Sequence, residues 1–135
     1  MSVVSICLDI LLNANLDEKC RLCSKLRDEW VAGDLEIVTP DERDVPDYPE
    51  RPTCMTRGDV DGKSVPKVSA TVSMLHGICH AESYAIDLFV DLLARFGREH
   101  SDTLPRDFFD DFVEVCFQEA CHFASWRDRL CALAC

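Results

Sequence analysis

The sequence predicts an all-α fold: a partial helical bundle in which a long antiparallel hairpin of two helices follows shorter amino-terminal helices. Three observations carry this. Apolar residues recur at the helical period of about 100° per residue around Glu82, and again around Glu119. The polar segment Arg98 to Thr103 reads as the turn between these two stretches. Upstream, Asp17 and Glu18 at the positive end and Gly33 at the stop bound a further helix over Asp17 to Ala32.

The elements follow in order. Val3 to Leu12 is a short apolar run that contains Asp9 and lacks a basic leader. It is shorter than the roughly 20 residues a membrane span needs, so it reads as a buried short helix rather than a secretory signal or a membrane anchor. Asn13 to Leu16 makes a turn. In the helix that follows, Leu16, Cys20, Cys23, Leu26 or Arg27, and Trp30 supply a partial apolar stripe. From Asp34 the composition changes. Pro40, Pro46, Pro49, Pro52 and Pro66 forbid a regular helix, and nine acidic residues between Asp34 and Asp61 face three arginines, which predicts an extended strap over the surface. The chain thus divides into amino-terminal helices over 1–33, an acidic, proline-rich linker over 34–66, and the first half of a bundle over 67–135.

The chemistry lies in the last part. With Glu82 as zero, Leu75, Ile78, Ile86, Phe89, Leu93 and Phe96 fall within about 40° of it, while His76, His80, Asp87 and Asp91 fall on the opposite side. From Glu119, the residues Phe108, Phe112, Val115, Phe123, Trp126 and Leu130 lie within a similar arc of about 40°, with His122 beside them at about 60°. Both carboxylates are expected at the centre of an apolar stripe, and the midpoint between them falls inside the turn. An antiparallel hairpin therefore brings them to the same height. Confining an ionised carboxylate without a partner costs several kcal/mol, roughly, so two on neighbouring helices call for a compensating charge. A bound cation supplies one, and His122 adds a nitrogen donor from the same face. The bland reading is that each is a hydrogen-bonded core residue. His76 and His80, with Asp87, offer a second set at zinc-like spacing. They share their face with Asp91, which favours a solvated or partner-facing surface.

Leu75-His-Gly-Ile-Cys-His-Ala-Glu-Ser-Tyr-Ala-Ile-Asp-Leu88, then Leu104-Pro-Arg-Asp-Phe-Phe-Asp-Asp-Phe112, then Gln118-Glu-Ala-Cys-His-Phe123 together resemble the ferritin-like proteins grouped as domain of unknown function 455. The family pattern is His-x-Glu-x-x-Ala-Ile-Asp/Glu-Leu, Leu-Pro-Arg-x-Phe-Tyr-Asp-Asp and Glu-Glu-Ala-Arg-His-Phe. Asp17-Glu-Lys19, Trp30-Val-Ala-Gly33 and Pro49-Glu-Arg-Pro52 extend the likeness to most of the chain. Gln118 and Cys121 depart from it, standing where Glu and Arg are usual.

The resemblance implies a ferritin-like four-helix bundle with a di-iron or di-manganese carboxylate site, carried here by Glu82, Glu119 and His122. His80 matches another marked position and would hold a ligand in orientation. A complete bundle of this class draws a second Glu and a second Glu-x-x-His from two further helices, and none follows before Cys135. The expected cover for the open stripe is the amino-terminal helices, a carboxy-terminal half beyond this chain, or a second copy forming a homodimer that completes the site by symmetry. Ferritin-like proteins span iron storage, hydroxylation including that of modified transfer RNA, and radical generation, so the resemblance leaves substrate and reaction open. The alternative is a non-catalytic helical scaffold or truncated product without bound metal.

Composition narrows the partners. A net charge of -11 argues against electrostatic capture of nucleic acid, which needs clustered lysine and arginine. Nine cysteines in a chain with no secretory signal point to a reducing, cytoplasmic compartment where thiols stay free and pack as small apolar groups. Cys20-Arg-Leu-Cys23 has redox or zinc spacing, but it lies within a helix and lacks a second pair.

Overall fold

The structure, a computed structural model, describes residues 1–53 and 69–134. Four helices hold the described residues together: α1 (Val3–Leu11), α2 (Leu16–Val31), α3 (Ala70–His100) and α4 (Arg106–Ala134). The all-α expectation holds. The part of the linker over 54–66 lies outside the described residues.

Local chemistry sets the ends. Ser2 and Ser5 form a reciprocal capping box at the start of α1, Asn15 caps α2 through the Glu18 amide, and Ser69 caps α3 through the Val72 amide. Gly33, at φ 80°, takes the left-handed turn that releases the chain from α2. The α3–α4 turn differs from expectation. Arg98, Glu99 and His100 remain helical, and the connection runs from Ser101 to Pro105. Arg98 and His100 sit well in a last helical turn, where their side chains oppose the negative end of the helix dipole.

Two helix pairs stack. α1 packs on α2 and on α3, α2 on α4, and α3 on α4, which leaves a square arrangement around one core. That core runs from Val3, Ile6 and Ile10 through Leu26 and Trp30 to Ile86, Val90, Leu93 and Phe109. Close approach of α1 to α3 rests on Gly97, where an added Cβ would stand 3.1 Å from Val4 Cγ2 and 3.3 Å from Phe109 Cε1. Trp30 ties the end of α2 to the start of α4: its indole N–H donates to Asp110 at 2.8 Å and its ring carries the Arg106 guanidinium at 4.1 Å.

Residues 34–53 form the strap. At its start the Val3 and Val4 amides, which have no partners inside α1, donate to the carbonyls of Glu36 and Ile37. Farther along, Arg43 binds Asp9 and Asp41, Arg98 donates to the Arg43 carbonyl and Arg95 to that of Pro46, and the Glu50 amide closes on Leu11. The strap therefore lies along α1 and across the end of α3. Among the described residues, no helix is long and apolar enough to cross a membrane.

α3 is buried on two sides, and this corrects the single-stripe reading. Leu75, Cys79, Ser83, Ile86, Asp87, Val90, Leu93, Ala94 and Gly97 are buried, an arc centred roughly 70° round from Glu82 at the helical period. On α4, Phe109, Val113, Cys116, Ala120 and Phe123 are centred roughly 80° round from Glu119. The cause is tertiary: each long helix packs against its hairpin partner and also against an amino-terminal helix. Glu82 and Glu119 therefore sit at the edge of the core, along the α3–α4 seam, on the side away from α1 and α2.

Candidate metal centre

The hairpin register brings the expected residues together. Glu82 faces Glu119 in the same register as Phe89 stacks on Phe112, with ring centroids 6.0 Å apart; the chain midpoint of each pair falls between His100 and Ser101. One turn of α4 places His122 beside Glu119. Its Nδ1 lies 3.5 Å from Glu119 Oε2 and 3.8 Å from Glu82 Oε2. One donor atom from each of the three lies within 4.8 Å of the others.

Burial is graded across the group. The Glu119 and Glu82 side chains are 19% and 23% exposed and His122 is 53% exposed, so the carboxylates are half-buried and the imidazole forms the outer rim. The expectation that both acids lie at the centre of a buried stripe is corrected accordingly. The Glu119 carboxylate, near enough to share a proton with Glu82, holds the Glu82 carboxyl above its usual range; partial burial adds to this and His122 opposes it. Among the described residues no lysine or arginine pairs with either acid. Two unit charges at about 4 Å repel by roughly 4 kcal/mol at the effective dielectric near a protein surface, so this arrangement favours a proton or a cation between them. On the core side, burial pushes the Cys116 and Cys79 thiols up, away from the thiolate form that would compete for a metal.

The second set does not assemble. His76 and His80 are exposed, with rings stacked at 6.4 Å, and His80 meets Tyr84 edge-on at 4.8 Å. Asp87 is turned from them and is 3% exposed: its Oδ1 takes the Lys19 ammonium at 2.5 Å and its Oδ2 the Arg51 guanidinium at 2.8 Å. The expected solvated position of Asp87 is thus corrected, because the second buried side of α3 passes through it. Arg51 also donates to Ser83 Oγ at 2.7 Å and lies 4.0 Å over the Tyr84 ring, which anchors the end of the strap. His80 points to no member of the Glu82 group and instead lines, with His76, Cys79 and Arg51, a cavity of about 160 Å³.

Sequence reasoning missed Lys19, which is fully buried. A signal was present: Lys19, Leu22, Cys23, Leu26 and Trp30 follow i, i+3, i+4, i+7, i+11, the spacing of one helical face. A lysine inside such a stripe requires an acid opposite it, and Asp87 provides it. The cysteines behave as expected of core thiols in several places. Cys7, Cys23, Cys79 and Cys116 are buried, and burial holds Cys20 at about 11.

Comparison with known proteins adds family context. A model of the family described as "Protein of unknown function (DUF455)" matches residues 12–135. A protein of Haemophilus influenzae (strain ATCC 51907 / DSM 11121 / KW20 / Rd) named "Uncharacterized protein" is 30% identical over 129 residues, covering 89% of this chain and 44% of its own length. The chain therefore spans less than half the length of that relative. No solved structure matches.

Proposed function

The chain belongs to the family Protein of unknown function (DUF455), and we propose that it is a ferritin-like metal-binding protein holding iron or manganese through Glu82, Glu119 and His122. One observation carries this reading: two carboxylates and an imidazole converge within 4.8 Å, with no basic side chain paired to the acids among the described residues. The donors fit the group. Two anionic oxygens and one neutral nitrogen suit iron or manganese, whereas structural zinc prefers thiolate and imidazole in a closed tetrahedron. When bound, paired ions of this kind supply one-electron redox cycling and activation of oxygen or peroxide. The chain's own residues do the rest. With an ion bound, Glu82 and Glu119 would offset its charge from opposite helices, His122 would close the outer side, and the buried Ile86, Cys116 and Phe123 one turn away on the same helices would exclude water from the core side. Three donors make half the set such a dinuclear centre draws on, and the chemistry proposed for it is of oxidoreductase type with its substrate open.

A second reading has its own support. Because Glu82 and Glu119 keep about one-fifth of their surface, water and a shared proton can stabilise them, as a non-catalytic helical scaffold would require. Manganese content after dialysis separates the two. Wild-type protein stripped with chelator and dialysed against Mn²⁺ is expected to retain metal, and Glu119→Gln to lose it while keeping its helical circular dichroism. Equal metal content in both proteins would remove the site reading.

A further inference from the structure

We propose that the cavity between the end of the strap and α3 binds a phosphate-class oxyanion, free or as the phosphate group of a small ester, with Arg51, His76 and His80 as its donors. The cavity lies off the Glu82 group: its α3 residues are centred roughly 110° round the helix from Glu82. The proposal therefore does not rest on the metal-binding reading above.

The chain itself walls this cavity. Leu16 of α2, Pro52 of the strap and Phe123 of α4 close it against α3, leaving about 160 Å³. One water takes up about 30 Å³ of the liquid, so an ion of phosphate size has room. Its charge is unusual for this protein. The chain has 25 acidic residues against 14 lysines and arginines, yet no aspartate or glutamate lines the cavity, whose ionisable groups are Arg51, His76, His80 and the Cys79 thiol. Behind it, Arg51 and Lys19 share one carboxylate, that of Asp87, and among the described residues neither cation pairs with a second acid. Two cations against one anion leave a positive charge unmatched, where Lys19 is fully buried and Arg51 is 18% exposed. Confinement makes such an excess costly, and an anion in the cavity neutralises it.

The donors suit an oxyanion. Arg51 donates from Nη1 to the Ser83 carbonyl and to Asp87 Oδ2, and from Nη2 to Ser83 Oγ, which leaves its Nε–H and one Nη2–H without a partner among the described residues. Neighbouring N–H groups of a guanidinium are what phosphate takes in a bidentate grip. The Tyr84 ring, 4.0 Å from the guanidinium, and the bonds to Ser83 and Asp87 hold it in place before any ion arrives. His76 and His80, one turn apart with rings 12° from parallel, add imidazole N–H groups from the exposed side. A tetrahedral oxyanion has oxygens for all three side chains, whereas a carboxylate has only the pair that Arg51 takes. The Arg51 charge also disfavours a metal ion between the imidazoles, and Asp87, which would have completed its ligands, is held by Lys19 and Arg51.

Calorimetric titration of the full 135-residue protein, freed of metal with chelator, tests this with inorganic phosphate as the probe and the ionic strength fixed with chloride. Glycerol 3-phosphate and acetate are titrated in parallel. One phosphate is expected per chain with acetate at least about tenfold weaker, and phosphate should raise the thermal midpoint as a ligand of the folded state does. His80→Ala, exposed and outside the ion-paired cluster, should weaken phosphate about tenfold and leave the midpoint of the phosphate-free protein unchanged. Arg51→Met should abolish binding; if it loosens the strap, the combination of His76→Ala and His80→Ala decides in its place. Tighter binding of the ester makes a small phosphorylated molecule the source and weaker binding makes it free phosphate, and either supports the site. No binding by about 10 mM phosphate, equal affinity for acetate, or phosphate affinity unchanged by the histidine substitutions overturns the proposal.

Discussion

Asp87 and Glu82 lie five residues apart on α3 and meet opposite surroundings. Asp87 is closed from water and held by two cations, Lys19 from α2 and Arg51 from the strap. Glu82 is partly open, and its nearest ionisable neighbours are another carboxylate and an imidazole. The first acid has its counter-charge built into the chain and joins three elements together. The second has its repulsion built in. One acid is buried with matching cations while the other faces a like charge, and the proposed metal site rests on that contrast.

Breaking the structural pair should give the largest effect. Lys19→Met leaves Asp87 buried with only Arg51 beside it, and by the behaviour of buried ion pairs that lose one partner should cost about 3–5 kcal/mol. Urea denaturation measures it, and Lys19→Met with Asp87→Leu should recover part of the loss, since two desolvation penalties are removed while Arg51 loses its carboxylate but keeps its bonds to Ser83. If the single variant costs nothing, the pair does not organise the fold.

Packing at the α1–α3 crossing ranks next. Gly97→Leu forces a side chain into a space already 3.1 Å from Val4 and 3.3 Å from Phe109 at the Cβ position, and overpacking of this kind costs about 1–3 kcal/mol. The thermal midpoint should fall without loss of the proposed metal binding, because Gly97 lies about four helical turns from Glu82.

The site acids should behave in the opposite sense. In metal-free protein, Glu119→Leu removes a like charge from beside Glu82 and should leave stability unchanged or raise it by up to about 1 kcal/mol, the scale of one polar interaction. The same denaturation curves show this. A loss of 3 kcal/mol or more, on the order expected for a buried pair, would place Glu119 in the same class as Asp87.

The smallest effect belongs to the strap. Hydrogen bonds from Arg43 hold Asp41 at about 2, below its ordinary 3.8. A lowered folded-state value stabilises the ionised form, so this contribution is complete above the ordinary value and is lost as pH falls from there through about 2. Carboxyl NMR titration should find Asp41 still ionised at pH 3, and Arg43→Ala should return it to the ordinary range.

Much of the centre was legible because it depends on register alone. Residues equidistant from a turn must meet in an antiparallel hairpin, so Glu82 with Glu119 and Phe89 with Phe112 follow from counting. Their degree of burial did not follow. It depends on which further helix packs against α3 and α4, and helical period on its own cannot separate the middle of a broad apolar arc from its edge. Asp87 was misplaced for that reason, and Lys19 escaped notice although its spacing with Leu22, Leu26 and Trp30 marked it. Gly33 ends α2 as expected, whereas Asn15, inside the expected turn, caps that helix and starts it at Leu16, one residue before the expected Asp17. The α3–α4 turn moved by three residues because Arg98 and His100 are stable in a final turn, which composition alone had read as loop.

X-ray absorption at the manganese edge tests the central claim most directly. On the loaded wild-type protein the account predicts a shell of oxygen and nitrogen neighbours that includes imidazole scattering, with the imidazole contribution lost in His122→Ala and the whole protein-derived shell lost in Glu119→Gln. A spectrum identical to hydrated Mn²⁺, unchanged between the wild type and both variants, would contradict it.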